Sequence, residues 1–357
     1  MSFLRVGDDA DSPGFLYYDS GAPEISSNYT TIFLIHGHTY HSPIFERLLP
    51  LAHKFNLRIV AVTRRDYVGS TPFSQEELDL LRKEDADVKL SFIIERAQEM
   101  ALFMDKFVAQ NKLPKAIADG SGGVAIAGWS LGNLVALSVV GLADHFPKEL
   151  AERLEPYLRR VILYECPYYL FGFPPSPKAY HPLKDPAING EEKKQKAFAN
   201  WVSGYFKHPG LAVQDSDALE YVTPSSHKSP TDSNLTDEEK ARTMDHAPGP
   251  RSEDPFLISS PGLMAKIRDE VFYSSRKIFP KANVKLVWGE ETVWSVPYGV
   301  WELEKYLAEM STKQPTKRNR PVEIVSIPET NHFVQWDDPE KLLKAFADSA
   351  FTKESSA

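Results

Sequence analysis

Cysteine is nearly absent: Cys166 is the only one in 357 residues. That excludes an internal disulfide framework and any thiolate metal cluster. No apolar run reaches about 18 residues, so the sequence offers no membrane span. Positive charge is not in excess either, with 41 Lys and Arg against 49 Asp and Glu and a net charge of −8. Without a basic field to collect phosphates, nucleic acid is not an expected partner. The opening stretch, Met1 to Asp9, lacks a cationic segment followed by an apolar one and does not read as a secretory signal. Internal repeats are missing as well. What is present, 42% hydrophobic and 25% charged residues, is too apolar for a disordered chain and ordinary for a globular enzyme. The expectation is a cytoplasmic monomer or homodimer acting on a small molecule, without metal or cofactor. Its length suits one large domain, or one carrying an insertion.

The first half alternates strand and helix signals. Phe15–Tyr18 reads as a short strand. Thr30–Gly37 and Leu57–Thr63 are continuous, β-branched runs of the kind a sheet buries on both faces. Between them Ser42-Pro43 opens a helix expected to reach Phe55. After a polar loop, apolar residues at helical spacing (Phe92, Ile93, Ala97, Met100, Phe103, Met104, Phe107) predict an amphipathic helix from Asp87 to Asn111. A buried strand at Gly123–Gly128, a helix over Leu131–His145 and a strand at Arg159–Glu165 follow. Strand–helix alternation of this kind predicts an α/β fold, a mostly parallel sheet with helices on both faces. The pattern stops at Pro167. Proline clusters, a helix around Lys193–Tyr205 and a Ser/Thr/Pro/Asp stretch occupy the next hundred residues, and it resumes with a strand at Asn283–Gly289. A helix near Pro297–Met310, a strand at Val322–Ile327 and a terminal helix opened by Asp338-Pro339 complete it. The predicted organisation is a core of residues 1–166 and 281–357, with an inserted, largely helical segment at 167–280 whose 223–255 portion is flexible.

Gly128-Trp129-Ser130-Leu131-Gly132 lies between a predicted buried strand and a predicted helix, the setting a nucleophile elbow requires. The turn is tight, so the residues two before and two after the serine must be small. The helix N-terminus behind it favours developing negative charge. Serine needs a base, and His332 sits in the loop between the last strand and the last helix, where it can reach across the strand ends. An acid to orient the imidazole has two places: Glu165, at the end of the strand before the insertion, or Glu291 and Glu290 after the strand ending at Trp288. An oxyanion hole would take one backbone N–H from Leu131 and a second from His38, which follows Gly37. The side chains of His36 and His38 are expected to hold that loop.

These motifs, His36-Gly37 after an early strand, Gly128–Gly132 and the late His332, together with the Arg64–Ser70 loop, resemble the α/β-hydrolase superfamily. The resemblance covers nearly the whole chain, and the insertion occupies the place of that family's lid. It implies a serine-nucleophile member. One departure matters: the position where such proteins usually carry an Asp after the penultimate strand is Thr292 here. A subset of the superfamily instead places a Glu after the strand before the lid, and Glu165 matches that position. A glutamate ending a buried strand is costly unless paired, which independently favours a role.

Serine at the elbow disfavours the chemistries that use an Asp there, haloalkane dehalogenation and epoxide opening. A Ser–His pair with an oxyanion hole suits a serine hydrolase or acyl transferase acting on an ester or lactone. Trp129, Tyr168, Tyr169, Trp201 and Trp294 lie near these motifs or in the insertion and are candidates to line a pocket for a bulky apolar substrate, or to form the insertion's own core. An esterase or lactonase of specialised metabolism fits this reading. The alternatives are a C–C bond hydrolase, an elimination or cyclisation enzyme on the same residues, or a non-catalytic ligand receptor.

Overall fold

Continuous runs of β-branched and aliphatic residues form the centre of the sheet. The computed structural model describes every residue except 25, 118–119, 258–260, 274–277, 314–319 and 348–357. Among the described residues the strands are β1 (Ser2–Arg5), β2 (Gly14–Asp19), β3 (Thr30–Ile35), β4 (Leu57–Val62), β5 (Val124–Trp129), β6 (Leu158–Tyr164), β7 (Asn283–Gly289) and β8 (Val322–Ile327). They join in the order β1-β2-β4-β3-β5-β6-β7-β8. From β4 to β8 every pairing is parallel, while β1 and β2 add an antiparallel edge. β3, β4 and β5 are buried along their whole length, because helices cover both faces and no position needs to face water.

The helices are α1 (Gln75–Arg82), α2 (Ala86–Asn111), α3 (Asn133–Gly141), α4 (Lys148–Leu154), α5 (Glu191–Val202), α6 (Thr231–Asn234), α7 (Asp237–Thr243), α8 (Asp254–Leu257), α9 (Pro261–Tyr273), α10 (Ser295–Lys313), α11 (Val334–Asp337) and α12 (Pro339–Phe346). The helix expected over 42–55 is two 3₁₀ stretches, Ser42–Phe45 and Leu49–Phe55. Pro50 lacks the N–H that a continuous α-helix would use there. The polar loop expected after β4 contains α1, which a reciprocal capping box of Ser74 and Glu77 starts.

Between β6 and β7 the chain leaves the sheet, and two expectations change. The 223–255 stretch, expected to be flexible, carries α6, α7, one turn of π-helix at Gly249–Glu253 and the start of α8. It is bonded to the loop after β3: the His41 N–H donates to the Thr243 carbonyl, the Asp245 N–H to the Thr39 carbonyl, and the Tyr40 hydroxyl to Asp232 at 2.7 Å. Part of its polar composition serves these long-range bonds, while the rest faces solvent. α9, expected within the insertion, packs on the core instead. Gly141 of α3 lies so close that a Cβ there would meet the Ile267 carbonyl at 3.0 Å.

Strand order reverses between β3 and β5: the chain passes from β3 outward to β4, then returns to place β5 on the other side. In open parallel sheets the crevice at such a switch point, beyond the carboxyl ends of the strands, is where ligands bind. Here those ends carry Gly37 and Ser130.

Candidate active site

β5 turns into α3 through Ser130, whose φ of 51° places a non-glycine residue in the left-handed region. Such strain persists where the surroundings over-determine it. A Cβ at Gly128 would sit 2.4 Å from the Asn133 backbone, and one at Gly132 would sit 2.3 Å from the Ile35 carbonyl oxygen and 2.5 Å from that of His36. Both neighbours are backbone and cannot yield cheaply. Gly132→Ala is therefore expected to destabilise the fold by about 2–3 kcal/mol through overpacking, read as a lower urea midpoint. A near-wild-type midpoint would show that the β3 loop gives way. Asn133, fully buried, fixes the turn by donating from Nδ2 to the carbonyls of Ser130 (2.8 Å) and Tyr164 (2.9 Å), so the ends of β5 and β6 are tied together.

The residue after Tyr164 is Glu165, also at positive φ (53°) and with no exposed surface. Three donors converge on its carboxylate. The Gly289 N–H reaches Oε1 at 2.6 Å, and the Thr292 hydroxyl and His332 Nδ1 (2.7 Å) both reach Oε2. Thr292 thus stands where an Asp was the usual expectation and donates to the glutamate from the neighbouring strand. An aspartate there would set a second buried carboxylate against Glu165. Burial, with Glu165 beside it, pushes the Cys166 thiol well up, so it stays a protonated core group.

His332 is 3% exposed, and its Nε2 has no hydrogen-bond partner among the described residues. Trp129, immediately before Ser130, donates from its indole to the His332 carbonyl at 2.9 Å, and the two rings lie 5.4 Å apart. Asn331 anchors the same loop to the insertion, donating to Ser203 and Thr231. The other two candidate acids turn elsewhere. Glu291 pairs with Lys207 and His227, and Glu290 accepts from Ser326 at 2.7 Å.

On the opposite side of Ser130, Gly37 makes the closest approach. A Cβ there would lie 2.9 Å from the Ser130 Cβ and 3.5 Å from its Oγ. Only glycine lets the loop after β3 run over the elbow. That brings His38 next to it, while Leu131 opens the first helical turn, where N–H groups have no intrahelical acceptor. His36 is fully buried. Its Nδ1 bonds the Gly37 carbonyl and its Nε2 accepts the Arg64 N–H, and burial, with Arg64 adding to it, holds its pKa well below the usual range.

Apart from Trp129, the aromatic candidates are placed differently from the elbow residues. Trp129, Trp201 and Trp294 are at most 5% exposed, and their indole N–H groups are bonded to the carbonyls of His332, Tyr221 and Tyr180. Tyr168 stacks on Trp294 at 5.2 Å and packs edge-on against Tyr169. Trp129 belongs to the elbow itself, whereas the other rings build the interior of the insertion and its contact with α10. An apolar cavity of about 90 Å³ does adjoin the elbow. Leu131, Leu134, Phe92, Met100, Phe256 and Leu257 line it, with Arg64 and Glu253 at its border. Among the described residues no cluster of His, Cys, Asp and Glu suits a metal ion, and no helix is long and apolar enough to cross a membrane.

A family model described as the alpha/beta hydrolase family matches residues 32–345. No curated protein matches the chain. Among solved structures, a laboratory-evolved variant of potato epoxide hydrolase is similar, with 14% identity over 97% of this chain and 98% of that one and a TM-score of 0.54. The thioesterase domain from the curacin biosynthetic pathway has 12% identity over 96% of this chain and 97% of that one, with a TM-score of 0.50. An esterase from Exiguobacterium antarcticum has 15% identity over 94% and 95%, with a TM-score of 0.49. At such identities the likeness concerns the fold and not the reaction.

Proposed function

The chain belongs to the alpha/beta hydrolase family, and from that premise we propose that it is a serine hydrolase cleaving an ester or lactone of an apolar small molecule. Ser130 is the nucleophile, His332 the general base and Glu165 the acid that orients it, with the N–H groups of His38 and Leu131 receiving the oxyanion. The observation that carries this reading is the buried contact of His332 Nδ1 with Glu165 at 2.7 Å, which leaves Nε2 unpartnered. A carboxylate on Nδ1 fixes the tautomer whose Nε2 is the basic nitrogen.

The reaction then runs in two halves. Ser130 Oγ attacks the acyl carbon as its proton passes to His332 Nε2. The carbonyl oxygen becomes an oxyanion bonded by the two N–H groups. The bond to the leaving oxygen breaks, and His332 returns its proton to that oxygen. Water repeats the sequence on the acyl-enzyme and frees the acid and Ser130. Substrate choice rests on the apolar cavity beside Leu131, whose volume of about 90 Å³ suits a short apolar arm. Roles for 167–257 as a cap over this crevice follow from its bonds to the loops after β3 and β8.

Labelling with a fluorophosphonate, read by intact mass and peptide mapping, tests the assignment. A single adduct on Ser130, absent in His332→Ala, is expected. An adduct elsewhere, or none together with no burst on p-nitrophenyl acetate, would remove the hydrolase reading.

A further inference from the structure

Glu253 is a buried carboxylate that the proposed chemistry leaves unused. It ends the π-turn at Gly249–Glu253, which no sequence motif marks, yet three polar groups converge on it. One oxygen meets His38 Nδ1; the other meets the Arg64 guanidinium and the Tyr67 hydroxyl, the latter at 2.9 Å. Arg64 and Tyr67 in turn hold the loop that crosses the elbow. Arg64 donates to the carbonyls of His36 (3.1 Å) and Gly37 (2.7 Å), and the Tyr67 hydroxyl accepts the Thr39 N–H at 3.1 Å. Residues 36–39 are thus gripped by two side chains that share one anchor, supplied by a segment more than 180 residues away in sequence.

We propose that Glu253 is a positioning residue of the Ser130 site: through His38, Arg64 and Tyr67 it locks the 36–39 loop so that the His38 N–H meets the oxyanion. This rests on the reading of Ser130 as nucleophile and the His38 N–H as oxyanion donor. The Arg64 guanidinium, His38 and the Glu253 carboxylate are thereby held in fixed places beside the loop that carries the proposed oxyanion donor. Fixed charge in a water-poor site acts there without reorganising. Gly249 belongs to the same device, since a Cβ at that position would lie 2.9 Å from His38 Cε1.

The charges around His38 agree with this arrangement. Burial works against its imidazolium, but Glu253, helped by Asp254, outweighs burial and the opposing Arg64, raising the pKa above 6.5. His181 and His246 also face His38, both held below the usual range, chiefly by burial. The Phe198 ring packs edge-on at 5.5 Å. Burial raises the Glu253 pKa, yet Arg64 and His38 carry it down to about 2. The carboxylate's share of the clamp is complete above pH 4.5 and is lost only as pH falls through about 2. The His38 share is complete below pH 6.5 and is lost as pH rises through its elevated value.

Glu253→Gln in the full chain tests the inference, with kcat and KM on p-nitrophenyl butyrate measured across pH and the Ser130 labelling rate in parallel. Expected are a roughly 10–100-fold fall in kcat and labelling rate, short of the about 10²–10³-fold cost of removing an oxyanion donor outright, a KM within about twofold, and an alkaline loss of kcat that begins at lower pH than in the wild type. His38→Gln, which keeps a neutral donor for Glu253, should lower kcat and abolish that alkaline loss; it decides the matter if Glu253→Gln does not fold. Labelling, turnover and pH profile like the wild type in a folded variant would overturn this inference alone. A wild type that does not label at Ser130 would overturn the underlying reading first.

Discussion

Ser130→Ala is expected to lower kcat by about 10⁵-fold or more while leaving the fold intact. Groups of a catalytic unit lose nearly everything when one is removed, because the remaining members have no partner to act on. The same argument fixes the double variant: Ser130→Ala with His332→Ala should be no slower than either single change. Folding should be spared at Ser130, since its side chain makes no hydrogen bond among the described residues and alanine keeps the Cβ that Gly37 accommodates. Unfolding free energies from urea titration within about 0.5 kcal/mol of wild type are expected. Additive losses in the double variant would mean that the two residues do not work together.

Glu165→Gln should reduce kcat by roughly 10²–10⁴-fold, by analogy with loss of a triad acid. The amide is isosteric but cannot satisfy its surroundings. Its oxygen can accept either from the Gly289 N–H on one side or from Thr292 and His332 on the other. If it faces Gly289, the NH₂ group confronts His332 Nδ1, which must then give up its proton and become the acceptor. That tautomer places the proton on Nε2, where the base is needed. A stability loss of about 1–3 kcal/mol should accompany it, from a buried donor left without an acceptor. Glu291→Gln serves as the control and should change kcat less than about threefold, because Glu291 faces Lys207 and His227. The opposite ranking, with Glu291→Gln inactive and Glu165→Gln unimpaired, would reassign the acid.

How much of this was legible depends on the range over which the information is stored. The buried strands could be read directly, because a sheet covered on both faces demands continuous apolar runs, and β3, β4 and β5 supply them. β1 could not: only Leu4 of its four residues is buried, so no period marks it. α1 and α7 do carry local signals, the Ser74–Glu77 and Thr236–Glu239 capping boxes, and reading these would have found both helices. The order of 223–255 and the grip of Glu253 on His38 had no such signal. They arise from polar bonds between segments far apart in sequence, and composition records only that the residues are polar. Among candidate site residues, Ser130, His332 and Glu165 lie where strand ends meet; the elbow motif marks the first, the loop before the last helix the second, and the sequence left the acid open between Glu165 and Glu291 or Glu290. Asn133, which ties two of those ends together, and Thr292, which supports Glu165, become informative only once the neighbouring strand is known.

The loop after β7 supplies no carboxylate to the imidazole, yet its Thr292 hydroxyl donates to Glu165 and lies 3.3 Å from His332 Nδ1. With Glu165 reaching His332 from β6, residues 291–292 also fasten the insertion: Glu291 holds Lys207 and His227, its carbonyl accepts the Phe206 N–H, and the Thr292 carbonyl bonds His208. Attachment of the insertion and support of the Glu165–His332 pair are therefore written into one short stretch of chain, and they meet at Thr292. Evolution, or a protein engineer grafting a foreign lid, can exchange Glu291 as part of an interchangeable module but must keep Thr292, the seam between the two.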